Sequence, residues 1–436
     1  MTAGFQQQIY EFLMESQFFS AEDMRRQQMH QLEALLRFAR ENVAFYKTRL
    51  NAVFNRDGTF DFSRWAEVPL LMRRDLLIYR EAMLAPTVPT GHGPCEDFQG
   101  SGTTGQSITI RHNRLSGIAS TAAMFRCWDW HGFDYSQNYF EWFGKTQEDA
   151  RWPDGRHRVG WGPPGYSGIK GTYCALHRLE PVERAFAFMK RFNARYAASR
   201  PHALFELAQY AESEKIHYPM QGLTGFGANI TDTIREECRR IFGKPVLSLY
   251  AAKETYNIAH ECPAGRHHIN AELMLVEVLD ENDAPCPPGK QGRIVITTFY
   301  NTAQPLVRYE LGDEVTLGEG CNCGCKLPVI AELNGRSVHL FRLPGGRKMA
   351  LRLPADLKKS FGALEWQVAQ VALEAVEIRY LKQREARPEE LAAITTVIRT
   401  QMTANTAVTF TPIAKLPQTV SGKILDFVCE LVPETL

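Results

Sequence analysis

Between residues 95 and 300, short apolar runs suited to strands alternate with runs of helical periodicity. Ser107–Arg111 and Gly292–Thr298 read as strands, and Asp232–Phe242 reads as a helix. Such alternation commits a chain to an α/β fold, because each helix buries its apolar stripe against a sheet face. Upstream, residues 4–50 read as two helices. Met29, Leu32, Leu36, Ala39 and Val43 recur there at three- and four-residue steps and line one face with core side chains. Downstream, LFRLPGGRKM (Leu340 to Met349) mixes turn formers with charges and reads as a linker. The pattern then starts afresh. Ala355–Phe361 suits a short helix, Val376, Ile378 and Tyr380 alternate as a strand, residues 391–402 suit a helix, and Val408 and Phe410 suit a second strand. The expectation is a large α/β domain followed, beyond the linker, by a small α+β domain.

A chain of 436 residues exceeds one ordinary domain. Its net charge of +1 sets up no field that would recruit nucleic acid or a membrane surface. No apolar run approaches the ~20 residues that cross a bilayer. MTAGFQQQIYEFLMESQFF lacks a basic stretch leading to a small-residue cleavage site, so no signal peptide is read. Ten cysteines in such a chain imply a reducing, cytoplasmic setting and thiols rather than disulfides.

The strongest local signal is QGSGTTGQSITIRH, Gln99 to His112. Gly100, Gly102 and Gly105 permit close backbone approach, and Ser101, Thr103 and Thr104 add hydroxyls. Backbone N–H groups and hydroxyls in such a loop wrap phosphate oxygens. The Walker A spacing is absent, and a plain hairpin turn is the competing reading.

SGTTG resembles the phosphate loop of the adenylate-forming enzymes, the superfamily of acyl-CoA synthetases, nonribosomal adenylation domains and luciferases. YAAKE (Tyr250 to Glu254) resembles its Tyr-Gly-x-x-Glu motif, and PLVRYELGD (Pro305 to Asp313) its Arg-Tyr-x-x-Gly-Asp motif. LNGR (Leu333 to Arg336) resembles the Gly-Arg before the hinge, and LPQTVSGKI the C-terminal Leu-Pro-x-Thr-x-x-Gly-Lys motif. These matches keep the family order. ARENVAFYKTRL, EVPLLMRRDLL and the CNCG stretch further resemble the phenylacetate-CoA ligase group.

The resemblance implies an ATP- and acid-binding first domain of several subdomains over residues 1–336 and a mobile C-terminal lid over 337–436 that carries a catalytic lysine, Lys423. It implies that Ser101, Gly102, Thr103, Thr104 and Gly105 hold the β- and γ-phosphates of ATP. Gln106 and Ser107 stand where the commoner loop has a lysine, so positive charge is weaker there. Glu254 would ligate Mg²⁺ as a hard oxygen donor. Tyr250 would stack on adenine, Asp313 would accept from the ribose hydroxyls, and Arg336 would contact the ribose or α-phosphate. Arg308 reads either as a site residue or as a structural ion pair. Lys423 would neutralise the charge that builds when a carboxylate attacks the α-phosphorus. The hinge position carries Ser337, Val338 and His339 instead of the usual Asp or Lys.

Cys262 and His268 lie in HECPAGRHHIN, and Cys321 and Cys323 in GCNCGCKLP. Thiolate and imidazole are the ligands Zn²⁺ prefers, and four of them close a structural site. Resemblance to zinc-bearing members of the group supports this set. Cys325, His260 and His267 stay open as alternative ligands, as does a metal-free cluster of thiols.

WDWHGFDYSQNYFEWFG, Trp128 to Gly144, is rich in aromatics that mostly read as core. His131 and Phe143 are the candidates from it for an acyl pocket. Gly225, Gly227 and Ala228 of GFGAN, with Ala251, complete that candidate pocket by resemblance. The leading expectation is ATP-dependent activation of a carboxylic acid, aromatic by preference, followed by transfer to coenzyme A. A carrier-protein phosphopantetheine or an amine is the alternative acceptor, a non-catalytic scaffold is the alternative class, and a homodimer stays open.

Overall fold

The computed structural model describes residues 3–431 except 100–107, 145–149, 166–169, 229, 337–340, 345–347, 350, 352, 354–356, 358–360, 418–424 and 426. The chain divides into two compact units, Met1–Ile230 with Ile234–Gly335, and Thr231–Thr233 with Arg336–Leu436.

The first unit opens with α1 (Ala3–Ser16), α2 (Ala21–Asn42), the short α3 (Tyr46–Arg49) and α4 (Arg73–Ile78). Ser20 caps α2 by accepting from the Asp23 N–H, and Leu32, Leu35, Leu36 and Ala39 form its buried stripe. β1 (Cys95–Gln99) and β2 (Thr109–Asn113) form a separate antiparallel hairpin around residues 100–107. α5 (Arg114–Trp130) follows directly.

The main sheet then forms from β3 (Asn138–Gly144), β4 (Arg156–Val159), β5 (Thr172–His177), β6 (Ala194–Ser199), β7 (Gly222–Phe226), β8 (Val246–Ala252), β9 (Tyr256–Glu261), β10 (His267–Ile269), β11 (Met274–Leu279), β12 (Gln291–Thr298), β13 (Tyr309–Leu317) and β14 (Val329–Arg336). It is twelve-stranded, in the order β11-β12-β13-β14-β10-β9-β8-β7-β6-β3-β5-β4. β5, β3, β6, β7 and β8 run parallel. Parallel strands need crossovers, and α6 (Val182–Arg191) and α7 (Pro201–Ser213) supply two of them. Phe186, Phe188 and Met189 of α6 and Leu204, Phe205 and Leu207 of α7 are buried.

The chain leaves β3 towards β5, returns on the other side as β6, and continues to β7 and β8. β3 and β6 are neighbours whose connections depart in opposite directions. The space beyond their carboxyl ends is therefore a crevice, the usual ligand position in an open parallel sheet.

A buried ion pair ties α1 and α5 to the segment after β10. Arg126 and Glu272 are both fully buried and paired. Arg126 also donates to Leu13 O and to Asn270 Oδ1 at 3.0 Å, and Ser16 Oγ donates to Glu272 at 2.8 Å. The aromatic stretch is mostly core, as its composition implies: Trp128, Phe133, Tyr135, Tyr139, Phe140 and Trp142 are buried. Among the described residues no helix is long and apolar enough to cross a membrane.

The second unit holds a hairpin of β15 (Phe341–Arg342) and β16 (Lys348–Met349), and a sheet of β17 (Ala363–Ala372), β18 (Ala375–Lys382), β19 (Ala407–Pro412) and β20 (Phe427–Cys429) in the order β19-β18-β17-β20. Its helix α8 (Pro388–Gln401) buries Ile394 and Ile398 with Val376, Ile378 and Tyr380 of β18. The segment read as a linker is a correction. Phe341 pairs with Met349 and is fully buried with Leu343 in this core, so the described residues of that stretch belong to the folded unit. The helix expected over 355–361 lies mostly outside the described residues.

Replacing Glu272 with alanine leaves Arg126 buried without its counter-charge. The expected loss is about 3–5 kcal/mol, read as a lower midpoint in denaturant unfolding.

Candidate functional site

Three strand ends converge on the crevice. Phe143 lies at the end of β3, Phe226 at the end of β7, and Ala251 and Ala252 at the end of β8. Gly225 is required by packing, since a Cβ there would sit 2.8 Å from the Ile230 and Val246 side chains. Gly227 turns the chain with φ +76°, and Ala228 follows it. The Phe143 and Phe226 rings meet edge-on, 4.8 Å between centroids.

β8 and β9 form an antiparallel hairpin with a register shift between Tyr250 and Ala251. Such an irregularity bends the strand and re-aims its side chains. Tyr250 donates its hydroxyl to Asp313 Oδ2 at 2.8 Å. The residues expected at adenine and ribose thus meet across the sheet. Glu254 is buried at the hairpin turn, 3.5 Å from Arg73 Nη1 of α4. Lys253 Nζ donates to Gln99 O at 2.7 Å, which fixes β1 where it enters the glycine-rich stretch. His112 donates Nε2–H to the Lys253 carbonyl at 2.9 Å. Burial pushes His112 down to about 4, so the ring is neutral at pH 7. The Tyr256 ring lies against it at 4.1 Å, with φ +62° at Tyr256.

Arg73, Lys253 and His112 escape sequence reasoning. Arg73 stands 181 residues from Glu254, and no local pattern links them. Arg308 resolves as a structural ion pair: it is buried, binds Glu277 at 3.1 Å and donates to the Ala66 and Val68 carbonyls. His131 lies within 2.8 Å of Glu261 O, beside Cys262 in sequence. Ser101, Gly102, Thr103, Thr104, Gly105 and Lys423 lie outside the described residues, as does the side chain of Arg336.

Cys262, His268, Cys321 and Cys323 come together, with their ligand atoms all within 4.8 Å of one another. Cys262 Sγ and Cys321 Sγ are 3.6 Å apart, and Cys323 Sγ is 3.2 Å from His268 Nε2. Zn–S bonds of about 2.3 Å in a regular tetrahedron put the sulfurs about 3.8 Å apart, so the donor set fits a four-coordinate metal. His268 donates Nδ1–H to Leu327 O at 2.9 Å, which leaves Nε2 as the ligating atom. Burial pushes Cys262 up to about 12, opposed by backbone N–H groups of Arg266 and Ala264. A dication beside that sulfur reverses the balance and favours thiolate. Cys325 turns away, its thiol towards Gln17 O.

No family model matches the chain. Over 100 residues it is 35% identical to phenylacetate-coenzyme A ligase of Thermus thermophilus, 22% of each chain. Over 88 residues it is 31% identical to protein CapK of Staphylococcus aureus, covering 20% of this chain and 18% of that one. The matched stretches span about a fifth of those relatives. The architecture matches across nearly the whole length. A structure of 2-hydroxyisobutyryl-CoA ligase in the postadenylation state with R3-HIB-AMP gives a TM-score of 0.72 at 15% identity, over 96% of this chain and 91% of that one. The same ligase with 2-HIB-AMP and CoA in the thioesterification state gives 0.62 at 16% identity, over 94% and 91%. The fold is that of the adenylate-forming ligases. Both of these structures of that CoA ligase cover more than nine-tenths of this chain.

Cobalt titration tests the sulfur–imidazole cluster. One equivalent of Co²⁺ is expected to give thiolate charge-transfer and tetrahedral ligand-field bands. Cys321→Ser should weaken binding and shift those bands. Because thiols must lose protons to bind, affinity should fall as pH falls.

Proposed function

We propose that the protein activates a carboxylic acid with ATP to an acyl-adenylate and passes the acyl group to coenzyme A. The observation that carries this reading is the Tyr250–Asp313 hydrogen bond beside buried Glu254, set at the carboxyl edge of an adenylate-forming fold. Similarity to a phenylacetate-CoA ligase supports the thioester as product.

In this reading Asp313 holds the ribose hydroxyls, and Tyr250 orients that carboxylate while offering its ring to adenine. Ser101, Thr103 and Thr104 wrap the β- and γ-phosphates with Gly102 and Gly105, and Arg336 steadies the ribose or α-phosphate. Mg²⁺, when bound, neutralises phosphate charge. Glu254 would hold it, exchanging Arg73 for the metal. Lys423 supplies the cation for attack at the α-phosphorus, needed while two anions approach. Phe143, Gly225, Gly227, Ala228 and Ala251 border the acyl group, and an aromatic acid suits the ring pair Phe143 and Phe226. Zn²⁺ is the metal assigned to Cys262, His268, Cys321 and Cys323, in a structural role.

Pyrophosphate exchange over a panel of acids, with and without coenzyme A, tests the whole reading. Exchange with some acid and a CoA thioester by mass spectrometry is the expected result. Exchange without a thioester redirects the acceptor to a carrier protein or an amine. Lys423→Ala should lower acyl-adenylate formation by roughly 10²- to 10³-fold while the melting curve stays put. Undiminished turnover removes that lysine from the mechanism.

A further inference from the structure

Arg200 follows β6 immediately, at the point where the connections of β3 and β6 part. Its guanidinium carbon lies 5.2 Å from the centre of the Phe143 ring, and that ring meets Phe226 edge-on. A cation and two partly exposed rings therefore form one corner of the crevice. The side chain is half-buried. Among the described residues no carboxylate pairs with it. Burial, and then repulsion from Arg178 just beyond β5, pull its pKa down to about 10. An aromatic face returns only part of what a guanidinium loses on leaving water. A half-desolvated cation whose charged neighbour among the described residues is another arginine carries an electrostatic cost that a bound anion removes.

We propose that the acid activated here carries a second carboxylate and that Arg200 binds it, so that a dicarboxylic acid is held at one end while the other end is adenylated. Guanidinium matches carboxylate in a planar two-bond fork, which fixes orientation as well as charge. The neighbouring rings suit a flat spacer between the two carboxylates. Arg200 thus becomes a specificity-determining residue. This rests on the preceding reading of Phe143 and Gly225–Ala228 as the acyl pocket of an adenylating enzyme.

Matched acids test it: benzoate against terephthalate, and butyrate against glutarate, in ATP–pyrophosphate exchange. The quantity read is the kcat/KM ratio of each diacid to its monoacid. In the wild type at least one pair should favour the diacid by on the order of 100-fold, because a site built for a charged partner is left unpaired by the acid lacking it. Arg200→Gln should collapse that ratio towards one, mainly through KM for the diacid. Arg200→Lys, which keeps the charge but not the fork, should fall between and guards against a folding defect in the first variant. A wild type that prefers both monoacids, or a ratio that Arg200→Gln leaves unchanged, overturns the proposal while adenylation stands. Exchange with no acid at all overturns both.

Discussion

Two neighbouring parallel strands whose connections depart in opposite directions cannot have their carboxyl ends covered by either crossover. That constraint, met at β3 and β6, opens the crevice on which the rest of the site depends. Phe143, Arg200, the Gly225–Ala228 turn and the β8–β9 hairpin reach it because each follows a strand end on the same edge. None of them is close to the others in sequence. The fold brings them together by direction of strand alone, which is why a site of this kind tolerates change in its loops while the sheet stays fixed.

Charge pairing separates scaffold from site. Arg126 with Glu272 and Arg308 with Glu277 are buried pairs whose remaining hydrogen-bonding capacity is largely met by carbonyls or side chains. Such pairs specify one arrangement, and breaking either half is costly. Glu254 with Arg73 is looser, at 3.5 Å, and Arg73 keeps partial contact with solvent. A looser pair is easier for a divalent cation to replace. Arg200 stands at the far end of this series, with an aromatic face for a neighbour and no acid paired with it among the described residues. Moving outward from the core towards the crevice, compensation by the protein itself declines. The groups left least compensated are those a ligand has most to offer.

Much of the fold was legible where period was local. The α2 stripe of Leu32, Leu36 and Ala39 and the β18 alternation of Val376, Ile378 and Tyr380 follow directly from spacing. The pairing of Phe341–Arg342 with Lys348–Met349 was not, because Pro, Gly and charge dominate the local signal there. What decides its state is burial of Phe341 against partners such as Val368 and Ile394, which no window of ten residues contains. The cysteines were legible as a short C-x-C pair, and the choice among histidines was not. His267 and His268 are adjacent on β10, so they point to opposite faces. Only the pairing of that strand with β9 and β14 decides which one meets the thiols.

The cluster and the crevice are physically linked through two strands. β9 carries the site hairpin, with Tyr250 and Glu254 before it, and ends one residue short of Cys262. β13 carries Asp313 and leads to Cys321 and Cys323. Between these strands the sheet interposes β10 and β14, so no ladder hydrogen bond joins β9 to β13 directly. A metal at the cluster would clip their trailing ends together. Sliding either strand would then break metal–sulfur bonds as well as backbone pairing. The Tyr250–Asp313 hydrogen bond adds a tie from β13 to β8, the strand that pairs with β9. A ligand that binds only the folded arrangement lowers its free energy by mass action. In this unit that stabilisation falls on the relative placement of a tyrosine and a carboxylate that sequence places 63 residues apart.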